Sequence, residues 1–480
     1  MEHVPYIPFA GPLLQWPVAR TETGLLAAFA LLGGLTLIYA LPDIRRGFLW
    51  AALIHVVGGI LSLVAADLIM LLLGWELMTF SAFFIFTRER DADSLNSGLR
   101  YIVMHMGAAV LFFVGAAWQW QAAGSLAVTK VAPGAQLFFL GAILIKTAVM
   151  PLHFWLVDAY PRAGFAGSVL LAAYATKVGI FTAARLLNYL PGGVPVLSYI
   201  GALVAVAGAF AALRQCQARK LLAYHIVSQL GYMLAGVGLA SASGAAAGLF
   251  HALNNVIYKS LLLMVAGVVC RQYGHEDLRR MGGAARRMPL TFCACLLAAA
   301  AIAGLPPMAG YASKELLKQA LTPSLNLLLW LASLGTALSF IKFVYLIFLR
   351  RAPEPEVVIN EAGALQLVPM LILAAVCVLN GVWPGLLVPG AQVYAPGALL
   401  AGLLPILAAL LLWQVAHKRL ARQVAPADVT LVMVATGISR MAALLPRLRA
   451  WHDLHPQTAF MLVFWFWLGL AWWLGGGRPV

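Results

Sequence analysis

From Gly24 to Leu474, apolar windows of about 20 residues follow one another with only short polar connections. A helix of that length is what crosses the hydrocarbon core of a bilayer, so the chain is expected to fold in lipid. Composition agrees. Hydrophobic residues make up 62% of the chain and charged residues 10%, against about 25% charged in an ordinary soluble protein. The expected fold is an all-α polytopic membrane protein with about fourteen transmembrane helices.

The formal net charge of +15 would suggest nucleic acid in a soluble protein. Here the basic residues form no dense tract, and they are expected to set membrane topology rather than bind nucleic acid. Alternate loops carry Arg45 and Arg46, then Arg88, Arg90 and Arg100, then Arg162. The series continues with Arg214, Arg219 and Lys220, then Arg271 to Arg287, then Arg350 and Arg351, and finally Lys418 to Arg449. The opposite loops hold little beyond Lys130 and Lys318. That asymmetry marks a cytoplasmic face of the cell inner (plasma) membrane, and an even helix count leaves both termini outside. No removable signal is apparent at the N-terminus. Cys216, Cys270, Cys293, Cys295 and Cys377 show no Cys-x-x-Cys and no metal spacing. No metal, dinucleotide or haem motif is present, so no cofactor is expected.

Two helices read as broken. In the fifth, near 136–157, Pro151 follows Lys146 within the span; in the tenth, near 290–316, Pro306 and Pro307 lie between Gly304 and Gly310. Proline removes a backbone donor and disfavours helix before it. Irregular backbone at membrane depth survives only inside protein or beside a wet cavity. Lys177 with Arg185 follows the first break, and Lys342 with Arg350 at the same spacing follows the second. Residues 48–189 and 190–350 are therefore expected to be two five-helix repeats, each a half-channel, the second inverted because five is odd. Residues 1–47 hold an N-terminal segment and first helix. Residues 351–480 hold C-terminal helices, the last near 457–476, and a basic cytoplasmic loop with a partly amphipathic stretch.

Chemistry resides in the buried charges. Glu76 is the one acid deep in an apolar span; Lys146, Lys177, Lys259 and Lys342 also lie within spans, and Lys314 stands beside the second break. Each such charge costs several kcal/mol unless paired, hydrated or used. For Lys314 and Lys342 the ordinary alternative is a side chain that snorkels to the interface. Arginines, which effectively never deprotonate, stay near the interfaces, whereas lysine is the cation able to exchange a proton. Glu76 and Lys146 are natural ion-pair partners, with Lys177 the next station inward. His251, Asn255 and Lys259 share one helix face at i, i+4 and i+8. His105, His225 and Gln229 add polar groups in neighbouring spans, and imidazole can pass a proton in either direction near neutral pH.

Several motifs together carry a resemblance. They are Trp75-Glu76, Lys146-Thr-Ala-Val-Met-Pro151-Leu-His-Phe-Trp-Leu-Val-Asp158, Gly167-Ser-Val, Ala175-Thr-Lys177, Arg219-Lys220-Leu-Leu-Ala-Tyr224, Ser228-Gln-Leu-Gly-Tyr232 and Ser313-Lys314-Glu315. Between about residues 45 and 350 the chain resembles the antiporter-like, proton-translocating membrane subunits of respiratory complex I, membrane-bound hydrogenases and Mrp-type cation/proton antiporters. The resemblance implies two inverted half-channels joined by a polar axis. It makes Glu76 and Lys146 the coupling pair, Lys177 the central relay, His251 and Lys259 the connecting axis, and Lys314 the exit-side site. Lys342 rests on the repeat instead.

The pattern also departs from the family. About two leading helices are missing before the glutamate, two helices extend past the shared core, and Asn255 stands where many relatives have a second histidine. The implied function is proton or cation/proton translocation within a multisubunit membrane complex, such as an NADH-quinone oxidoreductase. The implied partners are other membrane subunits, protons or sodium, and the lipid bilayer. The competing reading is a stand-alone secondary transporter, or the membrane half of a two-component uptake system for a solute such as bicarbonate.

Overall fold

A computed structural model describes residues 19–44, 46–87, 92–128, 131–187, 194–351 and 358–422. The expected helix at 457–476, the basic segment past Arg422, and Arg88, Arg90 and Lys130 lie outside the described residues. In chain order the helices are α1 (Ala19–Ala40), α2 (Arg46–Val64), α3 (Leu68–Thr87), α4 (Ala92–Ala123), α5 (Ala135–Lys146) and α6 (Phe154–Ala159). Then come α7 (Gly164–Ala173), α8 (Ala175–Leu187), α9 (Pro195–Leu213), α10 (Ala218–Val237), α11 (Ala242–Tyr273) and α12 (Ala284–Arg287). The last are α13 (Pro289–Ala303), α14 (Ala309–Ala320), α15 (Pro323–Val344), α16 (Ala364–Val382) and α17 (Pro396–Arg422).

Among the described residues the fold is helical, and 10 spans are long and apolar enough to cross a membrane. Several spans expected from the sequence fall outside that count for physical reasons. Two are the broken helices, whose halves are short. A third is α10, 20 residues long but carrying Arg219, Lys220, His225, Ser228 and Gln229. Outward faces are apolar: Trp50 and Val57 on α2, and Leu400, Leu404, Leu407 and Leu411 on α17, are exposed, as lipid contact requires. Helix α11, by contrast, is buried without interruption from Ala247 to Cys270.

Helices α9 and α10 pack through small residues: a Cβ on Gly231 would come within 2.4 Å of the Ala205 nitrogen. Close backbone approach of this kind holds membrane helices together where no hydrophobic effect is available.

Element lengths recur along the chain. Helices α2, α3 and α4 have 19, 20 and 32 residues, and α9, α10 and α11 have 19, 20 and 32. Just before α3, Asp67 bridges Ala127 beyond the end of α4, and just before α10, Gln217 bridges Asp277 beyond the end of α11. The flanking bonds match as well: Leu68 N–H to Leu126 O at 3.0 Å, and Ala218 N–H to Glu276 O at 2.9 Å.

Both expected breaks are present, and both use one backbone motif. Helix α5 stops at Lys146. Ala148 then takes a left-handed φ of 50°, so Val149 N–H reaches Leu144 O at 3.1 Å and Ala148 N–H reaches Ile145 O at 3.0 Å. Helix α13 stops at Ala303. Gly304 has φ 89°, with Leu305 N–H on Ala300 O at 2.9 Å and Gly304 N–H on Ala301 O at 3.1 Å. This pair of bonds is the Schellman arrangement, which satisfies two of the carbonyls a helix end leaves orphaned. The Met150–Pro151 and Pro306–Pro307 bonds are cis. A third break was not expected. The sixth span, read as one helix, divides at Tyr174 into α7 and α8.

The basic loops gather around backbone carbonyls. Arg350 donates to Leu278, Arg279 and Met281 carbonyls, and Arg219 pairs with Glu276. In the same loop Asp277 accepts from Arg279 at 2.7 Å, and that guanidinium holds its carboxyl below the usual carboxylate range.

Candidate functional site

Helix α3 is apolar on nearly every face, yet carries Glu76 near its middle. The side chain is half-buried, and its enclosed Oε1 has no hydrogen-bond partner among the described residues. Lys146, the last residue of α5, is 1% exposed. Its Nζ lies 4.8 Å from the centre of the Trp75 ring. Trp75 itself is held against Phe112, with ring centres 4.9 Å apart. Glu76 and Lys146 act on each other electrostatically. No direct ion pair joins them among the described residues; the ammonium rests on the aromatic face instead, a cation–π contact. Gly179 of α8 makes room here, since a Cβ there would meet Lys146 Cγ at 3.2 Å.

Lys177 is completely buried, and its position follows from the break at Tyr174. Nζ donates to Ala172 O, in the last turn of α7, at 2.8 Å. A freed helix-end carbonyl is a natural seat for a cation. The second half repeats that logic. Lys314 Nζ donates to Ile302 O at 2.9 Å and Ala303 O at 3.1 Å, the carbonyls at the end of α13. It also stands 5.1 Å from the Tyr232 ring centre.

Between these lysines runs a connected set of polar side chains. Ser313 Oγ and His251 Nδ1 are 2.9 Å apart, and His251 Nε2 lies 3.0 Å from Gln229 Oε1. Tyr258 donates to the same Gln229 oxygen at 3.0 Å, and Asn255 Nδ2 donates to Tyr258 at 3.3 Å. Lys259 Nζ has no hydrogen-bond partner among the described residues and lies 5.8 Å from the Phe340 ring centre. His225 packs on that same ring at 4.7 Å with both nitrogens unpartnered. Lys177 acts electrostatically on both His251 and Lys259.

The structure thus gathers His251, Asn255, Gln229, Lys314, Lys259 and His225 into one region and brings Lys177 within electrostatic range. His105 belongs to the first region: it lies between Tyr101 at 4.0 Å and Trp155 at 4.5 Å between ring centres, with both nitrogens unpartnered. Lys342 is not gathered in. Its Nζ donates to Leu213 O and Gln215 O, both at 2.9 Å, at the end of α9.

Sequence reasoning missed several members. His55 on α2 is fully buried, 2.9 Å from Ser81 Oγ, and acts electrostatically with Lys146. A lone histidine in an apolar span was the available signal. Tyr258, beside Lys259, links Asn255 to Gln229. Asp158 is 2% exposed and pairs with Arg100 at 2.6 Å and with Arg162. Arg162, four residues on, is a partner that spacing could have offered, whereas Arg100 is far from Asp158 in sequence.

The family described as NADH:quinone oxidoreductase/Mrp antiporter, transmembrane, matches residues 65–339, a stretch that includes every residue of this polar line and stops short of Lys342. An uncharacterised protein of Methanocaldococcus jannaschii is 32% identical over 315 residues, covering 61% of this chain and 65% of that one. Hydrogenase-4 component B of Escherichia coli is 30% identical over 351 residues, covering 64% and 52%. The chain spans 65% and 52% of the length of these two relatives. A chain in the structure of the Mrp complex from Dietzia sp. superposes with a TM-score of 0.74 at 22% identity, over 92% of this chain and 55% of that chain, which establishes a shared fold. With more than half of its length matched, from the residues before α3 to near the end of α15, the chain belongs to the NADH:quinone oxidoreductase/Mrp antiporter transmembrane family.

Proposed function

We propose that this chain is an antiporter-like subunit that moves protons, or exchanges a cation for protons, within a larger complex of the cell inner membrane. The observation that carries the reading is the set of cationic groups at helix interruptions: Lys146, buried, at the first break, Lys177, buried, beside the Tyr174 break, and Lys314, half-buried, at the second. A packing role gives no reason to accept the cost of a cation within the span at each of three places where the helix is also interrupted.

In this reading Glu76 and Lys146 form the coupling pair, Lys177 the relay, His251 and Lys259 the connecting axis, and Lys314 the exit site. His225, Gln229, Asn255 and His105 supply polar groups between them. Buried polar atoms without protein partners are ordinarily satisfied by ordered water. Such atoms occur at Glu76, His105, His225, Gln229, Asn255 and Lys259, along the line a proton would follow.

The matching lengths of α2–α4 and α9–α11, and the paired bridges beside them, support two repeats over 48–189 and 190–350. An odd number of crossings in each inverts the second, as in many transporters. Both termini then lie outside.

The chain carries no redox motif, so its energy comes from partner subunits or from an opposing ion gradient. Relatives named as a hydrogenase-4 component and as a Na(+)/H(+) antiporter subunit are in keeping with that reading. Gentle detergent purification from native membranes, followed by proton-uptake assays in vesicles, tests the reading. Co-purifying membrane subunits and uptake lost in Glu76→Gln are expected. A chain that purifies alone and carries a small solute unaided would overturn the assignment and favour a stand-alone transporter.

A further inference from the structure

His251 sits in a hydrogen-bonding frame that reads as built for both of its protonation states. Gln229 Oε1 can only accept, so His251 Nε2 at 3.0 Å carries a hydrogen in either state. The variable nitrogen is therefore Nδ1, and its partner is the Ser313 hydroxyl at 2.9 Å. A hydroxyl is both donor and acceptor. When His251 is neutral, Ser313 O–H donates to the Nδ1 lone pair. When His251 is protonated, Nδ1–H donates to Ser313 Oγ, and the serine hydrogen must turn elsewhere. Two acceptors stand ready for it: Ala309 O and Gly310 O, each 3.2 Å from Ser313 Oγ. The serine keeps its own hydrogen throughout. The proton gained at Nδ1 is one given up by a neighbouring ammonium of the proposed line, such as Lys314 on the same helix as Ser313. It returns there when that amine is neutral, so one charge moves and no other proton is transferred.

Fixed neighbours hold the frame in place. Ser313 lies on α14, 0% exposed, and Asn254 of α11 donates to the same Ala309 carbonyl at 3.1 Å. The His251 ring lies 5.4 Å from the Tyr232 ring, and Lys314 approaches that same ring. The charged groups acting on His251 are Lys314 from α14 and Lys177 from α8. A buried imidazole with a fixed donor or a fixed acceptor at Nδ1 would leave one protonation state with an unmatched polar atom, at a cost of a lost hydrogen bond or more.

We propose that Ser313 is a positioning residue whose rotating hydroxyl lets His251 gain and lose a proton without leaving either state unsatisfied. The proposal deepens the transport reading above and rests on His251 acting as a relay. An aliphatic side chain at position 313 can neither donate to Nδ1 nor accept from it.

The test uses the full chain in its native complex, reconstituted in vesicles, with proton uptake normalised to inserted protein. Four variants are compared: Ser313→Ala, Ser313→Val, Ser313→Thr and His251→Ala. Threonine and valine have the same shape and differ at the hydroxyl, so their ratio removes packing from the comparison. Loss of one charge-assisted hydrogen bond predicts uptake slowed about tenfold in Ser313→Ala and Ser313→Val, with Ser313→Thr several-fold faster than Ser313→Val. A parental rate in Ser313→Ala, or equal rates for threonine and valine, overturns the proposal. If His251→Ala is slow in those same preparations, the relay reading survives that failure. A parental rate in His251→Ala overturns the relay reading and the Ser313 proposal together.

Discussion

Lys146 holds its ammonium 4.8 Å from the centre of the Trp75 indole, one residue before Glu76. The lysine is therefore attached to the helix of the glutamate through an aromatic face, while the carboxylate keeps an enclosed oxygen without a partner. An ammonium on a ring is held less firmly than one in a bonded ion pair, and can be redistributed when a neighbouring charge changes.

Glu76→Gln and Lys146→Ala are each expected to cut vesicle proton uptake by at least about tenfold while the complex still assembles. Each leaves its partner buried without the opposing charge. Near-normal uptake in either variant, at equal insertion, would remove that residue from the pathway.

Lys177 is bound to Ala172 O alone among the described residues. If the residue merely supplied a fixed cation to the α7 end, arginine would serve. If it exchanges a proton, arginine fails, because a guanidinium does not deprotonate. Lys177→Arg is expected to be nearly as slow as Lys177→Ala. Uptake restored by arginine would leave Lys177 a structural cation.

Gly304 and Ala148 occupy the same left-handed position in the two breaks. Alanine there carries a strain of roughly 1 kcal/mol that glycine avoids. At Gly304 an added Cβ would also lie 3.1 Å from Lys314 Cδ. Gly304→Ala is expected to lower the melting temperature by a few degrees and to slow uptake through Lys314. Ala148→Gly is expected to do neither. Thermal denaturation in detergent together with uptake measures both, and equal behaviour of the two variants would refute the asymmetry.

Lys342 donates to two carbonyls at the end of α9, and a permanently charged donor serves that purpose. Lys342→Arg is expected to transport within about twofold of the parent, and Lys342→Ala to lose roughly 1–3 kcal/mol of stability from unmatched carbonyls. Failure of Lys342→Arg, with stability intact, would return Lys342 to the relay.

Much of this was legible in the sequence because the physics of lipid is severe. A proline in an apolar span and a lysine beside it can be read one residue at a time. The breaks at Pro151 and Pro306 fell where expected for that reason. The Tyr174 break was not legible: no proline or glycine marks it, and it shows only in three dimensions, where Tyr174 donates to Phe29 O and Lys177 reaches Ala172 O. Pairing between distant helices was equally hidden. Glu76 and Lys146 stand out in the sequence by charge alone, and nothing there shows that the Trp75 ring receives the ammonium. Lys342 matched Lys177 by spacing, but its neighbours at Leu213 and Gln215 lie on another helix and its end.

The last expectation concerns the passage between halves. His251 and Asn255 stand nine and thirteen residues past Ala242, the first residue of α11; Tyr101 and His105 stand nine and thirteen past Ala92, the first residue of α4. Asn255 thus occupies the slot that histidine occupies in the first half. Its Nδ2 donates to Tyr258, while its Oδ1 has no protein partner, an arrangement suited to ordering water rather than holding a proton. Imidazole fits such a slot, as His105 illustrates, and can itself relay. Asn255→His is therefore expected to be tolerated, His251→Ala to slow uptake strongly, and Asn255→Leu to be damaging because an apolar side chain dries the path and removes the amide that donates to the Tyr258 hydroxyl. Uptake by vesicles holding the assembled complex, normalised to inserted protein, decides it. Full activity in both His251→Ala and Asn255→Leu would mean that no proton needs this face of α11, leaving its polar groups as packing.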